Sequence, residues 1–295
     1  MKSNYFRIAD FNICIQFQDT TINDMYLLPS FETFKTEKTE GDELLFTICI
    51  DDNLQPKKEK ILMRKADTGN GITSVYLLPD GGYQYVIRDI YDQPCCLLIC
   101  NKEFTQCQCA LNGSQPMRMF GLNNALMLTF SFAGSFHKTM LIHASCVSHG
   151  GYGYPFTAKS GTGKSTHTSL WMKHIEQTEL MNDDNPIIRI LDDGKPYIYG
   201  SPWSGKTACY RNIRLPLGAI THIERDNHNW IERLETVQAF AMLLPAFSSM
   251  KWDPIIYNHL CTDIGKLIET TPIYTMHCLP DEEAAHVCQK VLARR

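Results

Sequence analysis

The residues with the clearest chemical signature form a short glycine-rich segment, AKSGTGKS, from Ala158 to Ser165. It fits the pattern G-x-x-x-x-G-K-[ST], with Ala158 in place of the first glycine. Gly161 and Gly163 allow the backbone to bend so that successive N–H groups face phosphate oxygens. Lys164 supplies a cation for the β- and γ-phosphates, and Ser165 offers a hydroxyl to Mg²⁺. The segment therefore predicts a site for a nucleoside triphosphate and a magnesium ion.

Neighbouring residues extend this expected nucleotide site. A strand precedes the glycine-rich loop, and a helix from Thr166 to about Ile175 would direct the positive end of its dipole at the phosphates. Lys206 follows Ser204 and Gly205, a backbone suited to close approach of a ligand, and either binds phosphate or is solvated. The predicted nucleotide-binding residues are Ser160, Gly161, Thr162, Gly163, Lys164, Ser165, Thr166 and Lys206.

An acidic pair, Asp183 and Asp184, follows that helix in the segment LMNDDNP. Adjacent carboxylates usually form an exposed turn. Beside a phosphate loop, however, one can bind Mg²⁺ while the other accepts the proton of an attacking hydroxyl. We favour this second interpretation and predict that Ser165, Asp183 and Asp184 hold the metal, without dividing the roles of the two acids. A second pair, Asp192 and Asp193, precedes Gly-Lys and is typical of a hairpin turn.

Three further side chains are candidates with open alternatives. His143 either lies near the transferring phosphate or is a core histidine bonded to the backbone. His167 either approaches phosphate or lies on exposed helix surface. Phosphoryl transfer needs cations that neutralise the transition state, and we prefer Arg211 over Arg214 for this role, although both could be surface charges. The predicted catalytic residues are Asp183, Asp184, His143, Lys164 and Arg211.

The elements that must position these residues fall into two parts. Up to residue 115 the chain has alternating segments, the first over residues 5–17, separated by Gly, Asn and Asp turns, which predict a β-rich domain. Residues 116–134 carry apolar groups at helical spacing, and strands then alternate with helices up to the C-terminus. We therefore predict an α/β protein with a smaller β-rich domain at 1–115 and a nucleotide-binding domain at 116–295. The expected later elements are strands over 139–148 and 273–278 and helices over 237–244, 255–270 and 281–293, the last of them capped by Asp281.

Composition narrows the class of protein. The 295 residues suggest about two domains, and 44% hydrophobic with 20% charged residues excludes a disordered chain. With 28 basic and 32 acidic residues, the net charge of −4 provides no global field for nucleic acid or an anionic membrane. No apolar run could span a bilayer, and the first residues lack the apolar core of a signal peptide. We therefore expect a cytoplasmic protein without nucleic-acid or membrane partners.

The chain contains 12 cysteines. The densest group has no Cys-x-x-Cys pair, and its members fall on two predicted strands. Cysteine is often a small buried hydrophobic residue, so we predict core packing rather than a zinc site. This group comprises Cys95, Cys96, Cys100, Cys107 and Cys109.

Taken together, the loop AKSGTGKST, the pair Asp183–Asp184 and His143 in the segment LIHAS resemble the HPr kinase / phosphoenolpyruvate carboxykinase superfamily. SGTGK also occurs in the ATP-dependent carboxykinases, but the order of these elements is more similar to the kinase domain of HPr serine kinase. The stretch YGSPWSGK at 199–206 and the segment 272–285 resemble HPr-kinase-related proteins of unassigned substrate. The resemblance covers about residues 116–295.

This resemblance implies an α/β P-loop core on a mixed, twisted sheet, with ATP and Mg²⁺ as cofactors. The implied activity is transfer of the γ-phosphoryl group to a hydroxyl of a protein or peptide serine or of a small molecule. The N-terminal domain would recruit the acceptor. HPr kinase assembles as a hexamer, so a homo-oligomer is compatible with the resemblance.

Several positions depart from the family pattern. Ala158 adds only one methyl group, but Thr166 stands in the segment where HPr kinase typically carries a glutamate. The protein-substrate signature after the acidic pair and the oxaloacetate site of the carboxykinases are both missing. These departures argue against HPr as the acceptor and against carboxykinase activity. The alternatives are a nucleotide-binding regulatory module without turnover and, less favoured, a carboxykinase-like decarboxylase.

Overall fold

The computed structural model describes residues 1–38, 41, 43–67, 69–159, 161–205 and 207–293. Within this part of the chain the protein is mixed α/β, with three sheets and five α-helices. The chain divides into two compact units, Met1–Phe136 and His137–Arg295.

The first unit is one mixed sheet covered by a helix. Its elements are β1 (Lys2–Ile8), β2 (Phe11–Phe17), β3 (Lys35–Thr36), β4 (Leu44–Ile50), β5 (Ile61–Asp67), β6 (Ile72–Leu77), β7 (Tyr83–Arg88), β8 (Pro94–Cys100), β9 (Gln106–Leu111) and α1 (Gln115–Ser135). The nine strands lie in the order β3-β1-β2-β4-β9-β8-β7-β6-β5. Strand β4 pairs in parallel with β2 and β9, and the other pairs are antiparallel.

The predicted helix over 116–134 is confirmed as α1, but it belongs to the first unit. It packs on β4, β8 and β9, and its buried side chains include Leu122, Leu126 and Phe130. The boundary between the units therefore falls after Phe136 rather than after residue 115. Helical periodicity shows that a helix has an apolar face. It does not show which sheet that face packs against, and therefore not which unit the helix belongs to.

The cysteines of this unit lie inside it. All five members of the dense group are buried, which confirms the prediction of core packing. Cys100 and Cys107 lie opposite each other on β8 and β9 with their sulfurs 3.0 Å apart, and the sulfurs of Cys96 and Cys109 are 3.3 Å apart. Burial and the neighbouring thiol raise the pKa of Cys100 well above its ordinary value, so this thiol stays protonated at neutral pH.

The second unit contains two sheets and four α-helices among its described residues. Its strands are β10 (Thr139–Leu141), β11 (Ala144–His149), β12 (Tyr152–Thr157), β13 (Glu179–Asp184), β14 (Ile187–Ile190), β15 (Pro196–Tyr199), β16 (Arg214–Pro216), β17 (Ile220–Arg225), β18 (Trp230–Arg233) and β19 (Ile273–Cys278). Its helices are α2 (Lys164–His174), α3 (Thr236–Leu243), α4 (Pro254–Thr270) and α5 (Glu282–Leu292).

The larger of these sheets carries the glycine-rich loop. Its strand order is β13-β11-β12-β17-β19-β18, and β17 runs parallel to both β12 and β19. Two apolar clusters form the core of the unit. One includes side chains of α3 and α4, and the other includes side chains of α2 and α5. The smaller sheet, β10-β14-β15-β16, is antiparallel throughout.

Packing against the sheet and N-terminal caps explain where helices form. Trp171 of α2 is fully buried against Tyr154 and Phe156 of β12. The Asp253 carboxylate accepts two backbone N–H groups at the start of α4, and Asp281 caps α5, as the sequence predicts for α5. The antiparallel hairpin of β14 and β15 confirms the predicted turn around Asp192.

Two strands are interrupted where the sequence predicted continuity. The segment 5–17 is broken by Ala9 and Asp10, whose positive φ angles of 47° and 63° form the turn between β1 and β2. The expected strand over 139–148 is broken at His143, between β10 and β11. Alternation of apolar residues continues through both breaks, which is why periodicity did not detect them. No helix in the described part of the chain is long and apolar enough to cross a membrane.

Candidate functional site

The glycine-rich loop joins the carboxyl end of β12 to the first residue of α2. Because β12, β17 and β19 are parallel, their carboxyl ends lie at one edge of the sheet, where α/β proteins commonly bind ligands. Gly161 and Gly163 have φ angles of 76° and 131°, a backbone region that favours glycine. The local structure thus agrees with the loop predicted from sequence. Ser160 and Lys206, both predicted to bind the nucleotide, lie outside the described residues.

Asp183 is the predicted acid that lies against the loop. Its side chain is buried at the end of β13, where the strand pairs with Ser145 of β11. The Ser165 hydroxyl donates to Asp183 Oδ1 at 2.9 Å, and the Thr207 N–H donates to Oδ2 at 3.3 Å. The first turn of α2 and the end of β13 therefore bring together the hydroxyl and carboxylate that the sequence assigned to the metal.

Asp184 lies in a different environment from its neighbour. Its carboxylate is partly exposed, accepts a hydrogen bond from Asn185 Nδ2 at 2.7 Å, and lies 3.3 Å from Nε2 of His143. His143 is exposed rather than buried, so the alternative of a core histidine is wrong. Adjacent strand residues point to opposite faces of a sheet, and this alternation separates the two acids. Asp183 bonds to Ser165 and Asp184 faces an exposed imidazole, while the charges of both carboxylates act on Lys164.

Lys164 lies close enough to both acids to be affected by their charges. Partial burial lowers the pKa of its ammonium, whereas Asp184 and Asp183 oppose that change. The ammonium of Lys164 would attract a polyanion such as a triphosphate, whereas the two carboxylates would require a bound metal cation to offset their charge.

The residues present are compatible with a hydrated magnesium ion. Mg²⁺ prefers oxygen ligands and typically takes one or two carboxylates together with phosphate oxygens and water. Ser165 Oγ and Asp183 Oδ1 supply adjacent protein oxygens beside the loop. Among the described residues no group of three His, Cys, Asp or Glu side chains could hold a metal by itself. Any magnesium here would therefore depend on the phosphates for much of its coordination.

A buried amide holds the segment that contacts Asp183. Asn182 Nδ2 donates to the carbonyl oxygens of Ser201 and Trp203 and to the Ser201 hydroxyl, at 3.1–3.3 Å. Its Oδ1 accepts the N–H of Asn185 at 3.0 Å. The side chain thus anchors the beginning of the 201–207 segment, from which Thr207 donates to Asp183. Sequence reasoning noted the acidic pair but missed the amide immediately before it.

Arg225 is a second residue that sequence reasoning missed. Its Nε donates to the carbonyl oxygen of Thr162 at 3.1 Å, and its Nη2 donates to that of Gly161 at 2.9 Å. The guanidinium therefore contacts two carbonyl groups of the glycine-rich loop. Arg225 is the last residue of β17, which pairs in parallel with β12. Local sequence does not show that these two strands pair, so it could not place Arg225 at the loop.

A cleft of about 370 Å³ lies beside the loop and the first turns of α2. Apolar side chains including Leu170, Ile223 and Leu279 line part of it, and Arg225 and Asp226 contribute charged groups. The Asp226 carboxylate accepts a hydrogen bond from Trp230 Nε1 at 3.1 Å, which lowers its pKa. The cleft offers an apolar compartment next to the predicted phosphate site, a combination suited to a nucleoside.

His167 is almost fully buried, at 2% exposure, so the alternative of exposed helix surface is wrong. Trp171 Nε1 donates to His167 Nε2 at 3.2 Å, which places the ring proton on Nδ1. Burial lowers the pKa of His167 to about 4, so the ring is neutral at physiological pH. It also lies edge-on to Phe156, with the ring centroids 4.8 Å apart. These contacts make His167 part of the packing between α2 and the sheet.

Arg211 is not brought to the glycine-rich loop. Its guanidinium pairs with Glu179 at 2.8 Å and donates to the carbonyl oxygen of Leu180 at 2.9 Å. Glu179 begins β13, whereas Asp183 and Asp184 end it, so the guanidinium lies at the opposite end of that strand. Within the described residues, the loop itself contains Lys159 and Lys164, and Arg225 donates to two of its carbonyl groups.

Comparison with known proteins adds no family assignment. A scan against protein-family models finds no match to this chain, and a search of curated proteins finds no significant match.

Proposed function

We propose that the protein is a Mg-ATP-dependent phosphotransferase that moves the γ-phosphoryl group to a hydroxyl acceptor. The observation that carries the proposal is the hydrogen bond between Ser165 and buried Asp183 beside a glycine loop at the start of a helix. Such loops bind phosphates through backbone N–H groups, a lysine and a magnesium ion held by a hydroxyl and a carboxylate.

The two acids divide the work in this proposal. Asp183, bonded to Ser165, helps to hold the magnesium ion, which when bound neutralises charge on the transferring phosphoryl group. Asp184 faces the exposed His143 and is the acid open to an acceptor hydroxyl. Asp184 then accepts the hydroxyl proton while the histidine orients the carboxylate. Lys164 stabilises the phosphates electrostatically.

The cleft beside α2 supports a nucleoside as the remainder of the ligand. Its apolar wall, including Leu170 and Ile223, suits a base, and its volume of about 370 Å³ lies within the ordinary range of ligand pockets. In this arrangement the second unit has the P-loop core suggested by the resemblance to HPr kinase. The acceptor is a protein or peptide serine or a small molecule, and the first unit is proposed to recruit it.

The test measures nucleotide binding and phosphoryl transfer separately. Calorimetry with ATP and Mg²⁺ reports binding, while labelled γ-phosphate is followed to water, free serine and serine-containing peptides. We expect Asp184→Asn to retain binding and to lower transfer by about 10²- to 10³-fold, in the range of general-base and charge-stabilisation effects. Asp183→Asn should also raise the magnesium concentration needed for activity.

Asp192→Asn is the matched control because this acid lies in the hairpin between β14 and β15 and is fully exposed. It should leave binding and transfer unchanged. Absence of nucleotide binding in the unsubstituted chain would overturn the proposal. Binding without transfer to any acceptor would instead support a nucleotide-binding regulatory module, and ATP consumption dependent on oxaloacetate would support a carboxykinase-like enzyme.

A further inference from the structure

A long strand with exposed side chains lies at one end of the nine-stranded sheet of the first unit. Strand β5 is the terminal strand and pairs with β6 along one side. The other side of such a strand presents backbone N–H and C=O groups away from the sheet. At the opposite end of the sheet, β3 is only two residues long, whereas β5 has seven. Among the described residues, the terminal strand at the β5 end is therefore the longer of the two.

The side chains of β5 are unusual for an edge strand. Ile61, Leu62 and Met63 are consecutive and 66%, 57% and 37% exposed, although an ordinary strand buries alternate apolar residues. A bulge separates Leu62, which faces Tyr76, from Arg64, which faces Val75. The strand thus has three exposed apolar residues followed by two basic residues, Arg64 and Lys65.

The local charge is opposite in sign to that of the whole chain. Between residues 57 and 65 there are five basic residues, Lys57, Lys58, Lys60, Arg64 and Lys65, and one acid, Glu59. The segment therefore has a net charge of +4, while the chain has a net charge of −4. Bulges and lysines commonly discourage edge pairing, but they do not account for three consecutive exposed apolar side chains.

We propose that β5 binds an extended acidic peptide segment of a partner protein, which adds to the sheet as a further strand. Backbone hydrogen bonds would supply part of the affinity, as in other cases of strand addition. Apolar side chains of the peptide would cover Ile61 to Met63, and its carboxylates would face the basic residues. A second copy of β5 would place like charges opposite each other, which is unfavourable across paired strands.

The direct test uses a fluorescent synthetic peptide of alternating valine and glutamate, with binding measured by anisotropy on the full chain. A peptide with lysine in place of glutamate tests charge, and one with alternate N-methylated amides tests the backbone. We expect only the unmodified acidic peptide to bind, with an affinity that falls as salt is raised. Hydrogen exchange of residues 61–67 should slow when it binds.

Charge-reversal variants locate the site. The double substitution Lys58→Glu and Lys65→Glu should weaken binding at least tenfold, whereas Lys102→Glu, on an exposed turn between β8 and β9, should change it less than twofold. All of these positions are exposed, and circular dichroism checks that the fold is retained. None belongs to the nucleotide site, so nucleotide binding should be unchanged.

Four results would overturn the proposal. The first is absence of binding by the acidic peptide, and the second is equal binding of the lysine or N-methylated peptide. The third is binding to phosphatidylserine vesicles with no binding of the peptide, which would assign the surface to a membrane. The fourth is a dimer in sedimentation experiments that protects residues 61–67 without peptide, which would assign it to a second copy.

Discussion

The two units of the chain differ in their content of cysteine and histidine. Seven of the 12 cysteines lie before residue 137 and all ten histidines lie from His137 onward. In the first unit, the thiols of Cys100 and Cys107 contact each other in the core, where burial raises the pKa of Cys100 well above its ordinary value. In the second unit, carboxylates, a lysine and a histidine meet around one loop.

Sheet pairing alone does not explain this difference, because both units contain parallel strands. In the second unit, however, a parallel strand continues into a glycine-rich loop and then a helix. That connection exposes backbone N–H groups at the sheet edge and directs Lys164 and Ser165 toward the end of β13. The difference between the units therefore lies in the loop and helix that follow the parallel strand. Four predictions test this difference.

The largest effect is expected for Lys164→Met. Removing this cation from the loop should lower phosphoryl transfer by about 10³-fold, because the ammonium of Lys164 would no longer stabilise the charge that develops on the phosphates. Transfer of labelled phosphate and calorimetric binding of ATP measure the effect. Lys57→Met, in the first unit, is the control and should behave like the unsubstituted chain. Equal loss in both variants would contradict the separation of roles between the units.

The second-largest effect is expected in the pH dependence of stability, which His167 should change in the second unit. The pKa of His167 is lowered to about 4, so the unfolded chain binds a proton near pH 6.5 while the folded chain does not. The contribution of His167 to stability is therefore complete above pH 6.5 and falls as the pH is lowered toward 4, by roughly 3 kcal/mol in total.

Hydrogen exchange resolved by peptide measures this loss separately in each unit. The second unit should lose protection between pH 6.5 and 4, and His167→Gln should lack that part of the pH dependence. His286→Gln is the control because this histidine is exposed on α5. An unchanged pH profile in His167→Gln would show that other groups cause the transition.

A smaller effect is expected for Arg225→Gln. The guanidinium donates to the carbonyl oxygens of Gly161 and Thr162, so its loss should make the loop less ordered before a nucleotide binds. Because the arginine is exposed, we expect about a tenfold loss in ATP affinity, with little change in the rate of transfer at saturation. Arg233→Gln, on β18, should leave affinity unchanged. A loss confined to the transfer rate would instead indicate contact with the reacting phosphate.

The smallest effect is expected in the first unit. Cys109→Ala removes a buried sulfur and should lower the free energy of unfolding by about 1 kcal/mol through lost packing. Chemical denaturation measures this change, and ATP binding should stay the same. A change in ATP affinity would couple the cysteine core to the nucleotide site and would weaken the comparison between the units.

Local signals predicted several elements within a residue or two. The sequence located α1, α4 and α5, with a predicted cap for α5 alone, and β19 has the predicted bounds of 273–278. Contacts between residues far apart in the chain were harder to predict. Because α1 packs on the first sheet, the boundary between the two units lies after Phe136 and not after residue 115. Arg211 pairs with Glu179 and therefore does not lie at the glycine-rich loop. Both depend on which elements pack together, and periodicity within a single element carries no such information.

The amino-acid sequence by itself determined the glycine-rich loop, because its glycines, lysine and serine lie within eight consecutive residues. The tertiary structure decided how the acids are divided. Alternation along β13 buries Asp183 against Ser165 and leaves Asp184 facing His143. Strand pairing also brought Arg225 to the loop. These contacts join residues far apart in the chain, so only the packing of strands and helices could create them.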